Sequence, residues 1–336
     1  MRIAILAPIS WRTPPRQYGP WELVASNITE ELVARGHDVT LFATADSITT
    51  AKLESCIKRG YSEDPDTDAK VNECLHISQV FEAADNFDII HNHFDFLPLT
   101  YTRLTNTPVI TTIHGFSSEK IIPVYKKYNQ GSHYVSISNA NRHPDLDYLG
   151  TVYNGINSSG FTFRREPGDY FLFFGRIHPE KGTSEAIGLA RRCNRKLIIA
   201  GPVQDTEYFN SAVRPHIDND RVVYLGNCDP QERDKLLGNA LALLHLISFD
   251  EPFGLSVAES MFCGTPVIAY ARGSMPELIR HGRTGFLANN MDEAADAAAQ
   301  IAAINRNDCR EWAMSMFTRE KMVDDYISLY KQALSA

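Results

Sequence analysis

The amino-acid sequence predicts an α/β protein made of two Rossmann-like domains, each with its own parallel sheet. Short apolar runs alternate along the chain with stretches of helical periodicity, which is typical of parallel α/β sheets. The alternation stops at a polar stretch, residues 158–169, and then starts again. With 336 residues, of which 43% are hydrophobic, the chain is long enough to bury two separate cores.

The first predicted domain covers residues 1–157 and begins with an apolar run that indicates a buried strand. Its first helix is predicted from Trp21 to Arg35, because Gly36 supplies a typical stop signal. A charged stretch with little periodicity, residues 54–70, is predicted to be a loop. The strands predicted in this domain are residues 2–9, 38–44, 87–92, 108–113, 133–138 and 151–154.

The second predicted domain covers residues 158–317 and repeats the alternation of strand and helix. Its predicted strands are residues 170–176, 196–200, 222–226, 242–247, 266–270 and 285–288. An amphipathic region follows from Asp308, and its apolar positions are Trp312, Met316, Met322, Tyr326 and Leu329. We therefore expect the chain to end in helices.

Charge and composition narrow the choice of partners. The formal net charge is −8, so no overall positive field would attract nucleic acid. Basic pairs such as Lys126-Lys127 and Arg191-Arg192 are interpreted as solvated faces rather than as a lipid-binding patch. No stretch approaches the roughly 20 apolar residues of a membrane-spanning helix, and the first apolar run is too short for a signal peptide. We therefore expect a cytoplasmic protein with at most a peripheral membrane contact.

Residues 248–270 carry the most specific functional pattern in the sequence. Glu251 and Glu259 stand eight positions apart around a Pro-Phe-Gly-Leu turn that ends a strand pattern and opens a helix. The backbone N–H groups and the positive dipole end of such a helix form a site for an anion such as phosphate. Glu259 lies about one and a half turns into the helix, near the face of Leu255, where it would accept hydrogen bonds from ligand hydroxyls. A ligand with phosphates at the helix start and hydroxyls at Glu259 has the groups of a nucleotide and its ribose.

Two cations follow the first predicted strand of the second domain. Arg176 and Lys181 stand at and just after its end, and the carboxyl ends of strands are where α/β sheets bind ligands. Together they would neutralise a pyrophosphate and the charge that grows on it as a leaving group. The alternative is that the two cations are surface side chains around a loop. The Glu251 pattern makes this alternative the less favoured one.

The E-x7-E segment resembles the signature of retaining glycosyltransferases of family 4, which have the GT-B fold. The second domain opens with a segment similar to the family's G-R-x-x-x-x-K-G element, and its matching residues are Gly175, Arg176, Lys181 and Gly182. Other similar segments precede it in the order that the family shows, namely T-T-I-H-G (111–115), S-I-S-N-A (136–140) and Y-N-G-I (153–156). The resemblance covers nearly the whole chain.

The resemblance implies an enzyme that moves a hexose from a nucleotide sugar, either a UDP-sugar or a GDP-sugar, to a hydroxyl of a small-molecule or glycan acceptor. The anomeric configuration would be retained. Neither a metal nor another cofactor would be needed, because the cations and the helix start stabilise the leaving group. The resemblance also implies that the two domains face each other across a cleft and that a last helix, residues 318–336, packs back on the first domain.

The resemblance assigns roles to single residues of the second domain. Arg176 and Lys181 would bind the pyrophosphate next to Gly175. Glu251, as a free carboxylate in the turn, would face the transferred sugar, and Glu259 would bind the ribose. The turn itself would contact the donor through the backbone of Phe253, Gly254 and Leu255.

In the first domain the resemblance points to Gly19 and His114. The family has a glycine pair near the donor phosphate, but here Gly19 is followed by Pro20, which has no N–H to donate, so a simple helix-start turn is the alternative. His114 would contact the transferred sugar, and a satisfied polar residue at a strand end is its alternative. His91 and His93 would lie on one side of a strand, where a metal site is less favoured because no further ligand cluster is evident.

Three other functions remain open on the sequence alone. A glycosidase would use Glu251 and Glu259 as its acid and nucleophile, and release of a nucleotide on turnover would exclude it. A sugar-nucleotide epimerase with the GT-B fold would isomerise the donor without any acceptor. A non-catalytic sensor would bind the nucleotide sugar tightly without turnover.

Overall fold

The chain folds into two compact units, each with its own sheet. The computed structural model describes residues 1–335. The first unit is Met1–Gly155 together with the C-terminal segment from Arg319, and the second unit is Ile156–Thr318. From the sequence alone, these divisions are expected after residues 157 and 317.

The strands of both units are short and largely buried. Residues 1–335 contain thirteen strands: β1 (Arg2–Leu6), β2 (Asp38–Phe42), β3 (Lys52–Glu54), β4 (Ile89–Asn92), β5 (Val109–Ile113), β6 (His133–Ser136), β7 (Tyr148–Thr151), β8 (Tyr170–Phe174), β9 (Lys196–Ala200), β10 (Val222–Tyr224), β11 (Ala242–His245), β12 (Val267–Tyr270) and β13 (Gly285–Ala288). The predictions for β9 and β13 match to the residue. β1 ends at Leu6 rather than at residue 9, since Pro8 has no N–H for the ladder.

Both sheets are parallel, and they share one topology over six strands, to which the first sheet adds β7 at its edge. The first has the strand order β3-β2-β1-β4-β5-β6-β7, and the second has the order β10-β9-β8-β11-β12-β13. The order reverses between β1 and β4 in the first sheet and between β8 and β11 in the second. Open parallel sheets bind ligands outside the carboxyl ends of their strands at this switch point. The prediction of two Rossmann-like units is confirmed.

Helices connect the strands and end the chain. Within the described residues they are α1 (Pro20–Ala34), α2 (Ala69–Glu82), α3 (Ile122–Tyr128), α4 (Thr183–Arg192), α5 (Thr206–Tyr208), α6 (Pro230–Asn239), α7 (Leu255–Phe262), α8 (Met275–Leu278), α9 (Met291–Gln300), α10 (Arg306–Met316) and α11 (Arg319–Ser335). The predicted first helix is confirmed, since α1 starts with Pro20 and stops just before Gly36, whose φ is +78°. None of the helices in residues 1–335 has both the length and the apolar character needed to cross a membrane.

The core of the first unit lies on both faces of its sheet. Ile3 and Ile5 of β1 pack in one cluster with α1 and α11, whereas Ala4 and Leu6 pack in another cluster with α2. All four side chains are closed off from solvent. A strand that is covered on both faces reads as a continuous apolar run, which is why β1 shows no alternation. The last helix, α11, is therefore part of the core of the first unit.

In the first unit one strand is predicted at the wrong position, and one strand is not predicted at all. The strand expected at residues 151–154 is β7, which ends at Thr151, three positions before the predicted end. Glycine generally weakens a strand, so Gly150 counts against a strand in the sequence. In the fold a Cβ at this position would lie 3.1 Å from the side chain of Leu329, so glycine leaves room for α11. Strand β3 is not predicted, because it is three residues long, forms the edge of the sheet and has a charged residue at each end.

Candidate functional site

The loops that follow β8 and β11 meet at the switch point of the second sheet. Gly182 makes this contact possible, because its φ is +73° and a Cβ there would lie 1.9 Å from the carbonyl oxygen of Leu246. Any other residue would push the two loops apart. Lys181 is thereby held beside the segment that follows β11.

A buried ion pair joins the two loops. Lys181 Nζ donates to Glu251 Oε2 at 2.6 Å, and only 15% and 13% of the two side chains are exposed. His245 Nε2 lies 3.5 Å from the same oxygen, beyond a normal hydrogen bond. Burial opposes ionisation of Glu251, but His245 and Lys181 outweigh it and lower the pKa of the carboxyl to about 2. We call these three residues the Lys181–Glu251–His245 cluster.

The cluster corrects one expectation and adds one residue. Glu251 is not a free carboxylate, because the fold brings Lys181 to it across 70 positions of sequence. His245, which has no functional context in the sequence and is interpreted from it as structural, is the last residue of β11 at the switch-point edge. A polar residue at the carboxyl end of a buried strand is the signal that could have identified it.

The predicted helix start after Glu251 is present. α7 begins at Leu255, and Gly254 before it has a φ of +92°. A Cβ at Gly254 would lie 2.7 Å from Met275 Cε, so the turn depends on glycine for space as well as for conformation. Phe253 is buried, and its carbonyl oxygen accepts a 2.7 Å hydrogen bond from Ser274 Oγ. The first N–H groups of α7 lack intrahelical acceptors, as at any helix start.

Glu259 lies inside α7 and has an arginine partner that the sequence analysis does not identify. The side chain is 6% exposed, and Oε1 accepts a 2.9 Å hydrogen bond from Arg233 Nη1 of α6. The guanidinium of Arg233 also lies 4.9 Å from the centre of the Phe161 ring. Burial raises the pKa of Glu259 and Arg233 acts against that rise. Nothing in the local spacing of Arg233 signals this contact.

Arg176 is placed by its own neighbours after β8. Its guanidinium donates to the Gln204 side chain. The backbone beside it is tightly packed, because a Cβ at Gly201 would lie 2.0 Å from the carbonyl oxygen of Gly175. The loop after β9 therefore holds Gly175 and Arg176, whereas the loop after β11 holds Lys181.

In the first unit, Gly19 ends a tight turn before α1. Its φ is +153°, and a Cβ there would lie 2.8 Å from Pro15 Cβ and 3.0 Å from Glu22 Oε2. Glu22 is 3% exposed and accepts a 3.3 Å hydrogen bond from the Trp11 N–H. Burial raises the pKa of Glu22 to about 7. The position requires glycine for this turn whether or not a ligand binds it.

His114 follows β5 and is buried beside two other histidines. Its ring stacks on Trp21 with 5.4 Å between the ring centres. His114 Nε2 lies 2.9 Å from His93 Nδ1, and His93 Nε2 lies 3.3 Å from His91 Nδ1. Within residues 1–335, no three His, Cys, Asp or Glu side chains are arranged to hold a metal ion. The His91 and His93 pair contacts its neighbours through hydrogen bonds.

Two family models match consecutive parts of the chain. The model described as Glycosyltransferase Family 4 matches residues 22–158, and the model described as Glycosyl transferases group 1 matches residues 158–321. Together they span almost all of both units.

Individual relatives agree with the family models. The chain is 23% identical over 328 residues to an uncharacterized glycosyltransferase of Methanocaldococcus jannaschii, with 84% of each chain covered. It is 30% identical over 225 residues to the D-inositol 3-phosphate glycosyltransferase of Mycolicibacterium smegmatis, with 60% of this chain and 50% of that one covered. A third relative is the glycogen synthase of Mycobacterium tuberculosis, 23% identical over 376 residues, with 95% and 90% covered.

Solved structures show the same fold. AviGT4, a glycosyltransferase involved in avilamycin A biosynthesis, matches with a TM-score of 0.76 at 22% identity and covers 100% of this chain and 98% of its own. Anabaena HepE in complex with UDP and glucose matches with a TM-score of 0.76 at 18% identity, and 99% of this chain and 100% of HepE are covered. On these matches, the chain belongs to the family 4-like glycosyltransferases with the GT-B fold.

Proposed function

We propose that this glycosyltransferase moves a hexose from a nucleotide sugar to an acceptor hydroxyl, with retention of the anomeric configuration and without a metal ion. The observation that carries the proposal is the Lys181–Glu251–His245 cluster next to the start of α7. It combines a cation, an ionised carboxylate and a helix start at the switch point of the second sheet, where such sheets bind nucleotides.

The phosphates of the donor are assigned to the cationic side of the cluster. Lys181 has three N–H donors, of which Glu251 takes one, so it can bind a phosphate and keep its partner. The N–H groups at the start of α7 supply further donors, and Arg176 supplies a second positive charge. These groups stabilise the charge that develops on the leaving diphosphate as the sugar departs.

The sugar and the ribose are assigned to the two glutamates. Glu251 is ionised at neutral pH, so it accepts hydrogen bonds from sugar hydroxyls and orients the ring. Glu259 keeps one carboxylate oxygen on Arg233, and the other is left for the ribose hydroxyls. In a glycosidase Glu251, which is held in its charged form, could not serve as the proton donor.

The acceptor reacts on the face of the sugar from which the diphosphate leaves. In this mechanism the departing phosphate takes the acceptor proton while Lys181 and Arg176 stabilise its charge. Two similarities support a UDP-sugar and a small hydroxyl-bearing acceptor. HepE is described with UDP and UDP-glucose, and the related mycobacterial enzyme glycosylates D-inositol 3-phosphate.

The proposal is tested by incubating the chain with UDP- and GDP-sugars, with and without candidate acceptors, in excess EDTA. We expect nucleoside diphosphate release that depends on acceptor and persists in EDTA, and a product whose anomeric proton shows the donor's configuration by NMR. An inverted product contradicts retention. Loss of activity in EDTA with rescue by Mn²⁺ contradicts metal independence, and isomerised donor without acceptor indicates an epimerase.

A further inference from the structure

A row of buried hydrogen-bonding side chains runs through the first unit from His114 to the C-terminal helix α11. His114 Nε2 lies 2.9 Å from His93 Nδ1, and His93 Nε2 lies 3.3 Å from His91 Nδ1. His91 Nδ1 also lies 2.7 Å from the Tyr330 hydroxyl, and His91 Nε2 lies 2.8 Å from Thr112 Oγ1. We call these five residues the histidine row.

The three imidazoles are neutral, so the hydrogen bonds between them must all be donated in the same direction along the row. Burial lowers the pKa of His114 and of His91 to about 3, and lowers the pKa of His93 well below its usual range. A neutral imidazole has one N–H donor and one acceptor nitrogen. The tautomer of each histidine therefore fixes the tautomer of the next.

The hydrogen bonds of the row can be donated toward His91 Nδ1 or away from it, and the contacts at His91 decide between these two directions. In one direction Tyr330 and His93 both donate to His91 Nδ1. In the other, a single N–H on His91 Nδ1 has to serve both neighbours, so one contact is lost. Each direction leaves one hydroxyl proton without an acceptor among residues 1–335, that of Thr112 or Tyr326 in the first and that of Tyr330 in the second. The 2.7 Å contact to His91 is also typical of an O–H donor, so Tyr330 donates.

We propose that Tyr330, through His91 and His93, holds His114 as the tautomer with its proton on Nε2 and leaves its Nδ1 as an acceptor for a ligand hydroxyl. Within the described residues His114 Nδ1 has no hydrogen-bond partner, and it is not shut off from solvent. Trp21 stacks on the ring and fixes its plane. The identity of the ligand as the transferred sugar rests on the proposed function.

His114 in this tautomer requires a proton-donating group on the ligand. A sugar hydroxyl meets this requirement, whereas a fluorine or methoxy group at the same carbon cannot donate a hydrogen bond. His91, His93 and Tyr330 do not touch the ligand themselves, so they are positioning residues. The row also gives α11 a part in the site, because it supplies Tyr330 from the end of the chain.

The tautomers can be read by ¹⁵N NMR of the full chain labelled in its histidines, with the signals of His114 assigned from their loss in His114→Gln. We expect a protonated Nε2 and an unprotonated Nδ1 on His114. Tyr330→Phe should turn this single tautomer into a mixture. Tyr134→Phe is the matched control, since it removes another fully buried hydroxyl of the first unit outside the row, and it should change nothing.

A proton on His114 Nδ1 in the wild type, or an unchanged single tautomer in Tyr330→Phe, overturns the proposal. A kinetic measurement then adds the consequence for function. We expect Tyr330→Phe to lower kcat while the affinity for bare UDP, measured by calorimetry, stays unchanged. The NMR measurement needs no substrate, so the expected tautomers in a chain without transferase activity would count against the proposed function and not against the histidine row.

Discussion

At the scale of single residues, the charge of Glu251 depends on its neighbours. A carboxyl that is buried to this extent would tend to take up a proton, but Lys181 at 2.6 Å and His245 at 3.5 Å keep it ionised. Glu259 pairs with Arg233 alone, and there the effect of burial is the larger one, so the pKa of its carboxyl is raised. The two glutamates of the E-x7-E spacing thus differ in the partners that control their charge.

Lys181→Ala is expected to lower kcat by roughly 10²-fold to 10³-fold, about 2.7–4 kcal/mol, because in the proposed mechanism it removes a charge that acts on the departing diphosphate. The donor KM should change less than kcat. Steady-state kinetics measure both, with Lys235→Ala as a control at an exposed lysine of the same unit. A Lys181→Ala enzyme with the wild-type kcat would show that the phosphate assignment is wrong.

Arg233→Gln is expected to shift the pH dependence of nucleotide binding to higher pH. Without Arg233 nothing opposes the effect of burial, so the pKa of Glu259 rises and the carboxyl takes up a proton. A protonated Glu259 loses charge-assisted hydrogen bonds of about 1.5–3 kcal/mol, so the affinity of the variant for UDP should increase as pH rises through the further raised pKa of Glu259.

Calorimetry with UDP over a series of pH values measures this effect. The wild type, in which Arg233 limits the rise of the Glu259 pKa, should show the same increase at a lower pH, and Glu259→Gln should bind weakly at every pH because its amide does not titrate. Equal pH profiles for Arg233→Gln and the wild type would mean that Arg233 does not control the charge of Glu259.

At the scale of elements, the loop after β8 depends on a backbone that only glycine allows. Gly182 combines a left-handed conformation with an approach to the Leu246 carbonyl oxygen that leaves no room for a Cβ. The same loop holds Lys181 against Glu251. The position of the candidate site therefore depends on the contact between these two loops.

Gly182→Ala is expected to destabilise the second unit and to reduce activity, because the new Cβ would lie 1.9 Å from a backbone oxygen. Gly188→Ala is the matched control, since Gly188 lies within α4 and its nearest neighbour would be Met291 Cε at 3.8 Å. There alanine should be neutral or stabilising by about 0.5–1 kcal/mol. Thermal unfolding and kcat of both variants measure the difference, and equal unfolding temperatures would contradict the packing argument.

At the scale of the whole molecule, two units whose strand orders differ only by one added edge strand carry different kinds of site. The second unit places charged groups at its switch point, whereas the first unit has a row of neutral histidines near the ends of β4 and β5. The fold is shared with proteins that are only 18% to 22% identical, so the architecture tolerates wide change in sequence.

UDP is expected to slow hydrogen exchange in the second unit, at the start of α7 and in the loops after β8 and β11. Binding stabilises the bound form by about 2.7 kcal/mol at a ligand concentration of 100 times Kd, which exchange can detect. Mass spectrometry of peptides from the full chain measures the protection, with the same concentration of uridine as a control for the phosphates. Protection confined to the first unit would contradict the assignment of the nucleotide.

The sequence by itself determined the two Rossmann-like units, the start of α1, most strands and the family. These features depend on local patterns, since an apolar run of a few residues is enough to form a buried strand such as β9. β7 and β3 departed from the predictions because their positions depend on packing and on a sheet edge. The spacing of the sequence motifs was also enough to name candidate site residues, among them Lys181 and Glu251.

Only the tertiary structure decided which side chains are partners. Lys181 and Glu251 are 70 positions apart, Arg233 and Glu259 are 26 apart, and His91 and Tyr330 are 239 apart. Each contact joins strands, loops or helices that the sheet topology brings together, so no local spacing encodes it. The protonation state of a buried group follows from these partners and from burial, and both exist only after the chain has folded.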